Sequence, residues 1–194
     1  MRKALIAICA LFLTAAVVVG VRQTGTTDDA APLSLAEVSK PIAGAPPKLA
    51  ALRARVNELR GGGLQALDAQ LMALRGTPVV VNLWASWCDP CRRELPFLQR
   101  QAVQRGARVA FLGVNVGDER GQAKALAARY PMPYPSFEDP RSRSTGRYKA
   151  RGLPTTAFYD ASGKLEIVHQ GAFPTGAKLA EAIERYALGG AARR

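Results

Sequence analysis

The sequence predicts an α/β fold: a mixed central sheet flanked by helices on both faces. Three observations carry this. Val79–Trp84 and Val109–Val114 are continuous apolar runs rich in β-branched residues, as in buried central strands, and a helical stretch separates them. Thr155–Tyr159 and Lys164–Gln170 flank the turn Asp160-Ala161-Ser162-Gly163, the pattern of a hairpin. Lys178–Leu188 then closes the chain as an amphipathic helix. The order is βαβα followed by ββα. A βαβ unit makes its strands parallel through a right-handed crossover, and the late hairpin adds antiparallel partners.

Taken in order, the chain of 194 residues starts with Arg2 and Lys3, then an uncharged apolar run of 18 residues from Ala4 to Val21. In a helix such a run spans about 27 Å, close to the roughly 30 Å of a hydrocarbon core. Val19-Gly20-Val21-Arg22 makes a poor cleavage site, so residues 1–21 read as a retained transmembrane signal anchor, with a cleaved signal as the alternative. The basic N-terminus favours the cytoplasmic side for that end. The rest of the chain would then sit outside the cytoplasm on a single-pass anchor, or be secreted or periplasmic if the signal is cleaved. Cys9 reads as an ordinary apolar residue of the anchor, because Ile8 before it is too bulky for a lipid-attachment signal.

Residues 22–47, rich in Thr, Asp, Ala and Pro, read as a flexible linker. Residues 48–190 form the expected domain, about 140 residues, a usual size for one core. Leu49, Leu52, Val56 and Leu59 predict a helix over Lys48–Arg60 that Gly61-Gly62-Gly63 stops. A short amphipathic stretch, Leu64–Leu74, follows. After the first buried strand, Pro90–Gln104 predicts a helix, Arg108–Val116 the second strand and Glu119–Tyr130 another helix. Pro131, Pro133 and Pro135 mark a loop, and Ser144–Ala150 a short helix.

The net charge is +12. The basic residues are scattered and not interleaved with exposed aromatics, which argues against nucleic acid and for a solvated basic surface beside a membrane. The three cysteines are too few for a disulfide scaffold. Cys88 and Cys91 form a Cys-x-x-Cys pair at the start of a predicted helix, a local redox or metal device. A helix N-terminus has unpaired N–H groups and a positive partial charge that stabilise a thiolate, the attacking species in disulfide exchange. Cys91, one turn on, suits a resolving role. Pro90 between them has no N–H to leave unpaired in the first turn. Structural zinc needs four ligands, whereas this chain has these two thiols and His169, which reads as a hairpin residue, so no metal is expected. A metal-binding carrier using the same sulfurs stays open as an alternative of another class.

The run from Val79 to Pro96, with Asn82, Trp84 and Trp87-Cys88-Asp89-Pro90-Cys91, resembles the thioredoxin superfamily, and within it the membrane-anchored TlpA/ResA-like branch of thiol–disulfide oxidoreductases. Gly113-Val114-Asn115-Val116 and Gly152-Leu153-Pro154-Thr155-Thr156 extend the resemblance, which covers about Ala69 to Tyr186. The resemblance implies a thioredoxin-like fold, a redox-active Cys88–Cys91 disulfide with Cys88 attacking, and a cis peptide bond before Pro154. Trp87, Asp89, Pro90, Leu153 and Pro154 would face the substrate, Leu153 through its backbone. Glu94 matches a carboxylate that could relay a proton; it could equally be a solvated residue of the first turn. Asn82 stands where ordinary thioredoxins keep an aspartate.

Asp89 opposes a thiolate at Cys88, and a less stabilised thiolate makes a stronger reductant. The expected activity is reduction of protein disulfides outside the cytoplasm, with apocytochrome c a candidate substrate and a membrane thiol-transporting protein as electron donor. Disulfide formation on the same fold is the alternative. No cofactor motif for flavin or nicotinamide is present. Residues Val81 to Cys88 do not supply the Pro-x-x-x-Thr-x-x-Cys context of related peroxidases.

Overall fold

The computed structural model of the protein describes residues 31–190. The expected anchor, with Cys9, lies outside the described residues, and among those described no helix is long and apolar enough to cross a membrane. The elements are α1 (Leu35–Val38), α2 (Pro47–Arg53), β1 (Leu59–Arg60), α3 (Gly63–Ala73), β2 (Val79–Trp84), α4 (Asp89–Arg105), β3 (Ala110–Val116), α5 (Arg120–Arg129), β4 (Ser136–Asp139), α6 (Arg143–Arg147), β5 (Thr155–Tyr159), β6 (Leu165–Gln170) and α7 (Gly176–Ala182), which runs on into a π-helical turn, Ile183–Ala187.

The sheet has six strands in the order β1-β4-β3-β2-β5-β6. The first four are parallel; β5 and β6 are antiparallel to their neighbours. This is the expected thioredoxin-like mixed sheet. Period-2 alternation along β2 divides the core. Val80 and Trp84 face the layer formed by Leu95 and Leu98 of α4, Leu126 of α5 and Leu179 of α7. Val79, Val81 and Leu83 face Leu52 of α2, Leu67 of α3 and Tyr148, just after α6. Asn82 falls on the α4 side by the same alternation. The β2–α4 junction therefore lies at the carboxyl end of a strand buried on both faces, with neighbours to hold it in place.

Two expectations need correction, and one strand was not expected. The helix expected over Lys48–Arg60 ends at Arg53, because Asn57 takes a left-handed φ of 59°. The Asn57 backbone N–H donates to Met132 O at 2.8 Å, its Oδ1 accepts from Met132 N–H at 3.0 Å and its Nδ2 donates to Ala127 O at 3.0 Å. These bonds turn the chain into edge strand β1, parallel to β4. Past the expected proline loop comes strand β4, which the sequence pattern did not announce; it pairs with β3 from Gly113↔Ser136 to Val116↔Asp139. Finally, the described part of the expected flexible linker packs on the domain. Ser34 and Glu37 form a capping box for α1, Val38 is fully buried, and Gln99 of α4 bonds both the N–H and the C=O of Leu33. Ile42 lies against Gly106, where a Cβ would collide with its Cδ1.

Candidate active site

Strand β2 ends at Trp84, and the loop Ala85–Trp87 delivers Cys88 to the N-cap of α4. Its Sγ accepts the Cys91 backbone N–H at 3.2 Å, one of the donors that the first turn leaves without an intrahelical partner. Cys88 and Cys91 are joined as a disulfide, and they are 4% and 1% exposed. Pro90 lies in the first helical turn, as expected. Trp87 is 61% exposed beside the sulfurs.

The loop before Cys88 is held from two sides. Asp118, in the β3–α5 loop, accepts the Ser86 backbone N–H and the Ser86 hydroxyl, both at 2.6 Å, and the Asn115 amide at 2.7 Å. The Trp87 indole N–H donates to Gly117 O at 3.1 Å. From the helix side, Arg92 donates to Ser86 O through Nε (3.1 Å) and Nη2 (2.6 Å), and its Nη1 reaches Asp89 at 2.8 Å. Asp89, expected to oppose a thiolate, thus carries a compensating cation. Sequence reasoning missed Asp118 and Arg92. The available signal for Asp118 was its place just past the carboxyl end of a strand parallel to β2; Arg92 had none beyond following Cys91.

Glu94 lies on the Cys91 side of α4, three residues further along, and is 1% exposed, so it is not a solvated first-turn residue. Its Oε1 accepts the Phe173 backbone N–H at 2.9 Å and its Oε2 the Asn82 amide at 3.1 Å. Asn82 also donates to Thr156 Oγ1 at 3.0 Å. Burial pushes the Glu94 carboxyl up to about 7, against the pull of the Phe173 and Asn82 donors. A carboxyl that titrates near neutrality behind a dithiol is suited to taking up and returning a proton.

The Leu153–Pro154 peptide bond is cis, as the resemblance implied. Thr155 pairs with Leu83, so by register Pro154 comes level with Trp84, at the threshold of the cysteine loop. Leu153 is half-buried and packs against the cluster that contains both cysteines. The structure therefore gathers Trp87, Cys88, Asp89, Pro90, Cys91 and Glu94 with Leu153 and Pro154 at one end of the sheet. His169 is on β6, half-buried and stacked on Phe173 with ring centroids 4.0 Å apart; burial lowers its pKa. Among the described residues no group of three or more His, Cys, Asp or Glu is placed to hold a metal ion.

Comparison with known proteins matches residues 50–168 to the family described as AhpC/TSA. The thiol–disulfide oxidoreductase ResA of Geobacillus kaustophilus is 30% identical over 124 residues, 63% of this chain and 68% of that protein. The thiol:disulfide interchange protein DsbE of Allochromatium vinosum is 41% identical over 91 residues, 46% of this chain and 49% of that protein. Among solved structures, a Chlorobium tepidum protein assigned as a thiol:disulfide interchange protein DsbE superposes with a TM-score of 0.53 at 30% identity. The match covers 59% of this chain and 80% of that one.

Proposed function

The chain belongs to the AhpC/TSA family, as a thiol–disulfide oxidoreductase of the ResA/DsbE type, and from this premise we propose that it reduces disulfide bonds in proteins outside the cytoplasm. The observation that carries the reading is the Cys88–Cys91 disulfide at the N-terminus of α4, backed by a buried carboxyl and flanked by the Leu153–Pro154 loop.

In the reduced enzyme, the Cys88 thiolate attacks one sulfur of a substrate disulfide. A mixed disulfide forms, and the other substrate sulfur leaves as a thiolate. The Cys91 thiol then gives its proton to the Glu94 carboxylate, and the resulting thiolate attacks Cys88 Sγ. The second substrate thiolate departs, and the Cys88–Cys91 disulfide remains. Two electrons pass from the enzyme dithiol to the substrate, and Glu94 returns its proton to solvent. Leu153 offers its backbone to the extended substrate, and Trp87, Asp89 and Pro90 form the contact surface around the sulfurs.

Residues 1–21, which read as a signal anchor or, as the alternative, a cleaved signal, support a place for the domain on the outer side of the cell membrane. On that side cytosolic reductases are out of reach, so a membrane thiol-transporting protein recharges the disulfide. Family resemblance makes apocytochrome c, which needs free thiols for haem attachment, a candidate substrate.

Two measurements test the proposal. The reduction potential against a glutathione or dithiothreitol couple is expected at the reducing end of the thioredoxin-fold range, about −270 mV; a value of about −120 mV makes the protein an oxidant and overturns the direction. In cells, Cys91→Ala is expected to accumulate mixed disulfides with substrates through Cys88. Equal trapping by Cys88→Ala overturns the assignment of attacking and resolving thiols.

A further inference from the structure

What else a substrate touches, if disulfide exchange is the activity, follows from the loops beside the sulfurs. Strands β1, β4, β3 and β2 are parallel, so the loops that follow them share the rim of the sheet with the Cys88 loop. The contacts are continuous along that rim. The Trp87 indole rests on Gly117 O, and Gly117 lies so close to Ser142 that a Cβ on it would be 2.7 Å from the Ser142 hydroxyl. Beside Ser142 opens a concavity of about 320 Å³, lined by Gly61, Gly62 and Gly63 and by Arg141 and Arg143.

Two carboxylates also line it, and both are engaged. Glu138 pairs with Arg120, and Asp139 accepts the N–H groups of Arg143 and Ser144 and the Ser144 hydroxyl. Arg141 and Arg143 are exposed, and among the described residues neither guanidinium meets a carboxylate. Two guanidinium groups without a carboxylate partner, lining one concavity, make a site for a carboxylate.

We propose that this pocket is a specificity subsite that receives an Asp or Glu side chain of the substrate polypeptide. The pocket borders β4 and β1, two to three strands from β2, which is roughly 10–14 Å. At about 3.3 Å per extended residue, the acidic residue lies about three to five residues from the reacting cysteine. It lies on the flank of the disulfide opposite Leu153, because β4 and β5 are on opposite sides of β2. A protein substrate is favoured over an anionic lipid surface because the pocket is concave and continuous, through Gly117, with the tryptophan beside the sulfurs.

The test uses two disulfide-bonded peptides that differ only in three Asp or three Asn residues at those positions. The enzyme is expected to reduce the Asp peptide with a kcat/KM about five- to tenfold higher at low salt, with the ratio falling towards one as ionic strength rises. Arg141→Gln/Arg143→Gln is expected to bring the ratio close to one at low salt, and Arg141→Lys/Arg143→Lys to retain part of it. In parallel, Trp87 fluorescence reports binding of the same peptides with cysteine replaced by serine, so the subsite is read even without turnover. Equal rates and equal binding of the two peptides by the unmodified protein overturn the subsite. So does a preference that survives the glutamine substitutions, or a glutamine variant that loses only its binding to phosphatidylglycerol vesicles. Failure to reduce either peptide, with selective binding intact, counts against the reductase activity and leaves the subsite standing.

Discussion

The Asn82 side-chain amide donates to the Glu94 carboxylate at 3.1 Å, tying the central strand to the helix that carries both cysteines. Glu94 is bonded on its other oxygen to the Phe173 N–H, ahead of α7, so one carboxyl joins three segments around the dithiol.

That carboxyl makes stability depend on pH in a defined direction. In the native protein Glu94 titrates near 7, against 4.5 for an unperturbed side chain. Between those values the native state holds a proton that the unfolded chain has released, so stability falls as pH rises through the window. At about 1.4 kcal/mol per pH unit, the loss is on the order of 3 kcal/mol and is complete above pH 7. Urea denaturation at pH 5 and pH 8 measures it. Glu94→Gln is expected to flatten this part of the profile relative to the unmodified protein. The same substitution is expected to slow collapse of the mixed disulfide about a hundredfold at pH 8 and to abolish its rise through pH 7, read by rapid quench. An unchanged pH–rate profile would leave Glu94 as a structural group.

Arg92 and Asp89 act on the potential in opposite senses. Asp89→Asn leaves the Arg92 cation unopposed beside Cys88, stabilises its thiolate and is expected to raise the reduction potential by about 10–30 mV. Arg92→Gln leaves Asp89 unopposed and is expected to lower it by a similar amount. It also removes both bonds to Ser86 O. Both side chains are partly exposed, so the two shifts shrink in high salt. Equilibration with glutathione at two ionic strengths checks both the signs and the screening.

Gly113→Ala tests the packing behind the cysteine loop. A Cβ at Gly113 would fall on the Ser136 hydroxyl and come within 2.9 Å of Trp84 Nε1, separating a buried donor from its acceptor 3.1 Å away. Overpacking with a lost buried hydrogen bond is expected to cost about 3 kcal/mol, measured as a lower urea midpoint with an unchanged slope.

The parts of this protein that were legible in the sequence are those in which local pattern and tertiary need agree. The runs Val79–Trp84 and Thr155–Tyr159 appear as strands with those bounds, because each is rich in β-branched and aromatic residues and buried along its whole length. Cys88, Cys91 and the cis bond at Pro154 were legible because spacing and resemblance converge on them. Strand β4 was hidden because it has four residues, follows three prolines and ends in Asp139, whose carboxylate caps the next turn. Strand β1 was hidden because Leu49, Leu52, Val56 and Leu59 keep helical spacing past the point where Asn57 breaks the helix through bonds to distant residues. Asp118 was illegible for a related reason. Its partners Ser86 and Asn115 become neighbours only when β2 and β3 pair, so its place past the end of β3 has meaning only once that pairing is known.

The docked segment gives the molecule a front and a back. Residues 31–33 fasten to Gln99 and Arg100, and Ile42 to Gly106, all well down α4 from its sulfur-bearing tip. Twelve helical residues from Cys88 to Arg100 amount to about 18 Å of axial travel. Residues 31–42 therefore meet α4 at the end away from the reactive pole, and the loops around the sulfurs keep their own side of the domain.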